Sequence, residues 1–220
     1  MTPARSDAAA VTTVLLVDDH PIVRAGCQRL LADAGGFHVV EAEDAEQALT
    51  LYREAAPAVV VMDLSMPGRG GMEAMQGLFA EDPHALVLVF SMHDDPIFAA
   101  RALRAGARGY VSKNDDPDTL VTAIRRVLGG GIHLGDAMAR DLAVLGCAPQ
   151  RHSLYGLSQR EFAVMTQPAT GASVAEIAGT LSVSEKTVYN NCTRIKDKLS
   201  LRSTRDLYRA AFALLHGTPG

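Results

Sequence analysis

The sequence predicts an α/β domain with a doubly wound, five-stranded parallel sheet, followed by a smaller all-α domain. Short apolar runs alternate with helical periods five times between residues 13 and 128, as in a parallel sheet covered by helices. Residues 153–217 show helix starts and no strand pattern. The net charge also changes sign: residues 1–152 hold 13 Lys and Arg against 20 Asp and Glu, whereas residues 153–220 hold 8 against 5.

Length and composition agree with two small domains. A chain of 220 residues with 48% hydrophobic residues can bury two cores. The longest apolar runs are about six residues, so we expect no membrane span, and the N-terminus predicts no signal peptide. Cys27, Cys147 and Cys192 form neither a disulfide framework nor a zinc spacing, which indicates a cytoplasmic protein.

The central strand is predicted at residues 58–62, where five apolar residues are β-branched at the centre and end at Asp63. Such a run is typical of a strand that is buried on both faces, in the middle of a parallel sheet. The carboxyl edge of such a sheet is its ligand side. Asp63 lies on that edge, where a carboxylate is costly unless a charged or hydrogen-bonding group meets it.

The other elements follow from the same patterns. Apolar runs predict the remaining strands at 13–17, 37–42, 85–90 and 109–112. Apolar residues at helical spacing predict helices at 22–34, 44–56, 71–80, 96–105 and 117–128. The first of these helices ends at Gly35 and Gly36, and the second stops before Pro57.

Polar residues follow the strands at the carboxyl edge: Asp18, Asp19, Asp63, Ser91 and Lys113. Taken singly, each has an ordinary alternative, since Asp19 could cap a helix, Ser91 could end a strand and Lys113 could be a solvated loop residue. Taken together, three carboxylates would repel one another without a cation, and their oxygens suit Mg²⁺. A lysine and a hydroxyl beside them suit a phosphoryl group.

The motifs Asp18-Asp19, Asp63-Leu-Ser-Met-Pro-Gly68, Ser91 and Ser112-Lys113 resemble the flavodoxin-like receiver domain of two-component response regulators, over about residues 13–129. The resemblance implies that Asp63 is the phosphoacceptor for a sensor histidine kinase and that Ser91 and Lys113 grip the phosphoryl oxygens. It further implies a switch role for Tyr110 and an Mg²⁺ site made of Asp18, Asp19, Asp63 and the backbone carbonyl of Ser65. One departure is Asn114, where many receivers have a proline after the lysine, so the cis X-Pro bond expected there must be absent.

Residues 130–152 are predicted to be a linker with a short helix at 135–145 and a flexible hinge at 148–152. Beyond it, helix starts are predicted at Ser158, Ser173, Ser184 and Ser203, the first two with the capping-box spacing to a glutamate. We expect the first of these helices to end at Gly171. The turn between residues 181 and 184 is too short for any connection other than the tight turn of a helix-turn-helix.

Residues 153–217 resemble the helix-turn-helix domain of LuxR-type regulators through Leu157-Ser-x-Arg160-Glu161, Glu176-Ile-Ala178, Ser184-Glu-Lys-Thr187-Val188 and Lys198-Leu199. A receiver followed by this module is the arrangement of the NarL/FixJ family of transcriptional regulators. Two departures are visible. Pro168 falls late in the first helix, which it should kink or shorten, and Tyr189 and Thr193 stand where relatives often carry lysine.

The second helix of a helix-turn-helix enters the major groove of double-stranded promoter DNA, and residues near its start reach the bases. Lys186, Tyr189, Asn190 and Thr193 share one face by helical spacing, and we expect this face to read bases. The full set of expected DNA contacts is Lys186, Thr187, Tyr189, Asn190, Thr193, Arg194, Lys196 and Lys198. The alternative is a small helical bundle that binds protein, with these cations on an ordinary solvated face.

The sequence thus indicates a regulator that phosphorylation controls, with no catalysis beyond its own phosphorylation and dephosphorylation. A homodimer is expected when it is phosphorylated. The helix at 203–215 carries one stripe at Leu207, Ala211 and Leu214 and a second at Tyr208, Phe212 and Leu215, and one of them could pair subunits. Two other classes of protein stay open. One is a phosphohydrolase with an aspartyl-phosphate intermediate, which is disfavoured because Ser65 stands where such enzymes have a second acid. The other is an interaction protein whose receiver is not phosphorylated.

Overall fold

The computed structural model describes residues 11–67, 70–147, 157–167, 172–199 and 201–216. The strands are β1 (Thr12–Val17), β2 (Phe37–Ala42), β3 (Val59–Met62), β4 (Val87–Ser91), β5 (Gly109–Ser112) and β6 (His133–Leu134). They form one parallel sheet in the order β2-β1-β3-β4-β5-β6. This order places the carboxyl ends of β1, β3, β4 and β5 side by side at one edge.

The helices of this α/β domain are α1 (Pro21–Ala34), α2 (Ala45–Ala55), α3 (Gly70–Glu81), α4 (Pro96–Ala105), α5 (Pro117–Leu128) and α6 (Asp136–Cys147). Three of them begin after an aspartate whose side chain accepts a hydrogen bond from a backbone N–H of the first turn: Asp44, Asp95 and Asp116. These caps satisfy backbone N–H donors that have no partner within the helix, and they confirm the helix starts that the sequence predicted near residues 44, 96 and 117.

The sheet has six strands, and the prediction of five was wrong. The sixth, β6, pairs with β5 in parallel, with His133 opposite Gly109 and Leu134 opposite Tyr110. A Cβ atom at Gly109 would lie 2.8 Å from the His133 carbonyl oxygen, so glycine is what permits this close approach. The segment lies inside the predicted linker at 130–152, and two residues are too few to show a strand period.

Helices cover both faces of the sheet, as the two-sided apolar strands predicted. One core lies under α1 and α5 and includes Val59, Val61 and Leu31. The other lies under α2, α3 and α4 and includes Val60 and Met62. All four residues of β3 are buried, so the central strand contributes alternate side chains to the two cores.

The C-terminal helices are α7 (Gln159–Thr166), α8 (Val174–Thr180), α9 (Glu185–Leu199) and α10 (Thr204–His216). Both predicted capping boxes are present, at the starts of α7 and α8. A tight turn with Ser182 at φ 51° joins α8 to α9 and confirms the helix-turn-helix. Helix α7 ends at Thr166, two residues before Pro168, whereas Pro168, the predicted end at Gly171 and the hinge at 148–152 lie outside the described residues.

Candidate functional site

Asp63 follows the central strand directly and is 1% exposed. Its backbone N–H donates to the Val17 carbonyl (2.9 Å), which continues the pairing of β3 with β1 by one residue. A Cβ atom at Gly71 would lie 1.8 Å from the Asp63 carbonyl oxygen, so only glycine allows α3 to start this close to the acid. The Asp63 Oδ1 accepts from the Ser65 N–H (3.0 Å).

Lys113 lies between two of the acids. Its Nζ is 2.7 Å from Asp63 Oδ2 and 2.6 Å from Asp18 Oδ2, and its side chain is 6% exposed. Burial alone would lower the pKa of Lys113, but the contacts with Asp18 and Asp63 outweigh it and hold that pKa above its ordinary value. Lys113 is therefore a fixed cation, and its backbone N–H donates to the Ser91 carbonyl (2.8 Å).

The predicted acidic cluster is present at the same edge. Ligand atoms of Asp18, Asp19, His20 and Asp63 all lie within 4.8 Å of one another. Asp18 Oδ2 and Asp19 Oδ1 are buried and accept no well-aligned hydrogen bond from the residues that the structure describes, although Lys113 Nζ and His20 Nδ1 lie 2.6 and 2.9 Å away. These oxygens are the hard donors that Mg²⁺ takes, so the residues fit that ion.

Asp19 does not cap α1, which was the ordinary alternative for this residue. The N-cap position belongs to His20, whose side chain makes no capping bond. Sequence reasoning missed Arg24, whose Nη1 donates to the Asp18 carbonyl (2.6 Å) and whose Nε pairs with Glu41 (3.2 Å). No local pattern marks Arg24, because its partners are Asp18, just after β1, and Glu41, in β2.

Ser91 is the last residue of β4, and Tyr110 lies within the neighbouring strand β5. Ser91 is fully buried, and its Oγ accepts from the His93 N–H (3.3 Å). Tyr110 is 2% exposed and donates its hydroxyl to the His93 carbonyl (2.7 Å). Burial raises the pKa of Tyr110, so the phenol stays protonated and remains a donor. Both predicted residues thus meet at one loop, the segment that follows β4.

The predicted DNA-contacting residues lie along α9. Lys186, Tyr189, Asn190, Thr193 and Arg194 are exposed, and Tyr189 has 58% of its surface accessible. Thr187 and Lys196 are half-buried, and the Thr187 Oγ1 hydrogen-bonds Ser184 Oγ (2.9 Å). The open face of α9 therefore carries the residues that the helical spacing grouped together.

Lys198 differs from the other cations of α9. Its Nζ lies 2.6 Å from Glu161 Oε2, and Glu161 is 3% exposed. Burial alone would raise the pKa of Glu161, but hydrogen bonds from Lys198 and Ser158 hold it below its ordinary value. Lys198 thus ties α9 to α7 inside the domain, an interaction that the sequence reasoning missed.

A contact between the two domains was also missed. On α4, Phe98 packs edge-on against Phe162 of α7, with ring centroids 5.1 Å apart. The Arg101 guanidinium lies 4.1 Å from the centre of the Phe162 ring and donates to the Leu157 carbonyl (3.2 Å). Phe98 also stacks on His93, with ring centroids 4.1 Å apart. His93, which contacts both Ser91 and Tyr110, is therefore separated from the C-terminal domain by the single ring of Phe98.

A parallel α/β domain with acids and a buried lysine at its strand ends, followed by a helix-turn-helix, has the architecture of a response regulator. Two family models agree: the response regulator receiver domain matches residues 14–125, and the luxR family of bacterial regulatory proteins matches residues 155–211. The chain belongs to the NarL/FixJ family of response regulators, which combine a receiver with a LuxR-type DNA-binding domain. Among the described residues, no helix is both long and apolar enough to cross a bilayer.

Relatives cover nearly the whole chain. The response regulator GacA of Pseudomonas aeruginosa is 39% identical over 207 residues, which cover 93% of this chain and 96% of GacA. The transcriptional activator protein ExaE of Pseudomonas putida is 38% identical over 205 residues, covering 90% and 94%. RcsB from Salmonella enterica serovar Typhimurium, solved bound to promoter rprA with the phosphomimetic BeF3⁻, is 26% identical with a TM-score of 0.68, covering 90% and 96%. Membership in this family favours a regulator over the phosphohydrolase and protein-binding alternatives.

Proposed function

We propose that this protein regulates transcription in response to phosphorylation of Asp63 by a sensor histidine kinase, in the cytoplasm. The observation that carries the proposal is the buried carboxylate of Asp63, held 2.7 Å from the fixed cation of Lys113 at the ligand edge of the sheet. Residues 13–129 would form the receiver, 130–152 a linker with a short helix, and 153–217 the DNA-binding domain. The chain's own chemistry would be limited to its phosphorylation and dephosphorylation.

The transfer needs charge to be offset at the acid. An oxygen of Asp63 would attack the phosphorus of the kinase's phosphohistidine, the P–N bond would break, and the imidazole would remain on the kinase. Lys113 and the Ser91 hydroxyl would take the phosphoryl oxygens. Asp18, Asp19, Asp63 and the Ser65 carbonyl would hold Mg²⁺, which would offset the negative charge of the reacting groups.

Phosphorylation would act through the loop after β4. The acyl phosphate carries about one more negative charge than the carboxylate, which would draw the Ser91 hydroxyl toward it. The Ser91 Oγ contacts the His93 N–H, and the Tyr110 hydroxyl contacts the His93 carbonyl, so a shift of this loop alters the packing of the switch residue Tyr110.

DNA recognition would use the open face of α9. Asn190 and Tyr189 would read bases, Thr193 would meet a thymine methyl, and Lys186 would reach a guanine or a phosphate. Thr187, Arg194, Lys196 and Lys198 would contact the backbone, with Lys198 contributing least because Glu161 already engages it. On α10, Leu207 and Ala211 are buried, whereas Tyr208 and Phe212 are 41% and 51% exposed, which supports a dimer on two half-sites. The side chains of Leu214 and Leu215 lie outside the description.

The test is labelling by acetyl phosphate with and without Mg²⁺. We expect label on the wild type only when Mg²⁺ is present, and none on Asp63→Asn. The control Asp33→Asn removes an acid that is 76% exposed on α1 and should leave labelling unchanged. Label that persists in Asp63→Asn, or in excess chelator, would refute the proposal.

A further inference from the structure

The loop that carries Lys113 is held by a hydrogen-bonded ring around one aspartate. The Asn114 Nδ2 donates to Asp94 Oδ2 (3.0 Å), and the Ser112 hydroxyl donates to Asp94 Oδ1. The Asn114 N–H in turn donates to the Ser112 Oγ (3.0 Å). The described backbone contains no cis peptide bond, so these contacts hold the loop without one.

The ring joins the two loops that hold the proposed phosphoryl ligands. Asp94 lies three residues after Ser91, in the loop between β4 and α4. Ser112 and Asn114 stand immediately before and after Lys113, so Asp94 grips the chain on both sides of the lysine. The backbone bond from the Lys113 N–H to the Ser91 carbonyl (2.8 Å) closes the connection at the strand ends. The pairing of β4 with β5 sets the backbone of Lys113 relative to Ser91, and the Asp94 carboxylate adds a side-chain connection between the two loops.

We propose that Asp94 and Asn114 are positioning residues, which hold Lys113 and Ser91 at the spacing that phosphoryl transfer requires. The inference rests on the proposed function, in which those two residues grip the phosphoryl oxygens. Both members of the pair are exposed, and hydrogen bonds at exposed sites add little to the stability of a fold. Their contribution is instead the alignment of a buried cation, to which transfer rates are sensitive.

An exchange of the two side chains tests the pair. Asn114→Asp places two carboxylates in contact, and we expect the rate of labelling by acetyl phosphate to fall about tenfold. Adding Asp94→Asn to that variant restores an amide-to-carboxylate pair in the reverse direction, and the rate should return to within about twofold of the wild type. The affinity for Mg²⁺, measured calorimetrically, and the unfolding temperature should stay unchanged in all three proteins.

A matched control separates the pair from simple charge. Met92→Asp adds the same charge to the other of the two loops, the one that carries Asp94, at a residue that is 57% exposed, and it should slow labelling far less than Asn114→Asp. Hydrogen exchange at the Lys113 amide gives a readout that needs no phosphorylation: it should speed up in Asn114→Asp and recover in the exchanged pair. If the wild type takes no label, the proposed function fails. The hydrogen-exchange rates of the Lys113 amide would still test whether Asp94 and Asn114 hold the loop. Any of three results overturns the inference: the double variant stays as slow as Asn114→Asp, Met92→Asp is as slow as Asn114→Asp, or the Lys113 amide exchanges at the same rate in Asn114→Asp as in the wild type.

Discussion

The contact of Arg101 with the C-terminal domain predicts a measurable coupling between the two domains. Burial lowers the pKa of Arg101 to about 10, so the guanidinium is still charged at pH 7. Arg101→Ala removes a hydrogen bond from a charged donor to the Leu157 carbonyl and a cation–π contact with Phe162. Together these contribute about 2 kcal/mol, which corresponds to about a thirtyfold change in the ratio of docked to separated domains.

Small-angle X-ray scattering on the unphosphorylated monomer measures this ratio. We expect the radius of gyration of Arg101→Ala to exceed that of the wild type, because the domains separate about the linker. The control Arg140→Ala removes the same charge from an exposed position on α6 and should leave the radius unchanged. Equal radii for Arg101→Ala and the wild type would show that Phe98 and the rest of the interface hold the domains without Arg101, and would contradict a contribution of about 2 kcal/mol from its contacts.

On DNA, Asn190→Ala should weaken binding to the true site by about 1–3 kcal/mol with little effect on random sequence, whereas Lys196→Ala should weaken both and lower the salt slope by about one; equal losses for Asn190→Ala on both DNAs would contradict the assigned face. Lys198→Ala should lower the unfolding free energy by about 1–2 kcal/mol at pH 7, because it leaves buried Glu161 unpaired. Since the folded pKa of Glu161 lies below 4.5, this deficit should disappear as the pH falls through that pKa, and a deficit that persists in acid would refute the ion-pair account. Burial lowers the pKa of His133 below 6.5, so stability should drop as the pH falls below about 6.5, and urea unfolding of His133→Leu should show a smaller drop.

The sequence predicted the elements whose patterns repeat over several turns or residues. The apolar run before Asp63 became the doubly buried β3, and the serine–glutamate pairs became the capping boxes of α7 and α8. The convergence of Asp63 and Lys113 followed from topology alone, because parallel strands end at one edge. The sequence could not predict β6, because two residues are too few to show the alternation of apolar and polar residues that marks a strand. This strand is held in place by its hydrogen bonds to β5.

Side-chain contacts between distant segments were beyond the reach of sequence patterns. Arg101 and Phe162 lie on helices of different domains, and nothing near either residue indicates the other. The pairing of Lys198 with Glu161 is similar, since a cation near the end of a DNA-binding helix is equally consistent with a phosphate contact. Asn114 departs from the family pattern, but the sequence alone does not indicate that its partner is Asp94.

The exposed face of α9 has a consequence for how the protein finds its sites. Because the receiver meets the C-terminal domain through Phe162 and Leu157, it leaves Tyr189 and Asn190 open to solvent. On the proposed assignment, the unphosphorylated protein can already associate with any duplex through counterion release and slide along it. Phosphorylation would then act on molecules that are already sliding along the chromosome. The delay before a promoter responds would depend on how fast two DNA-bound molecules form a dimer, rather than on how fast free protein diffuses to the DNA.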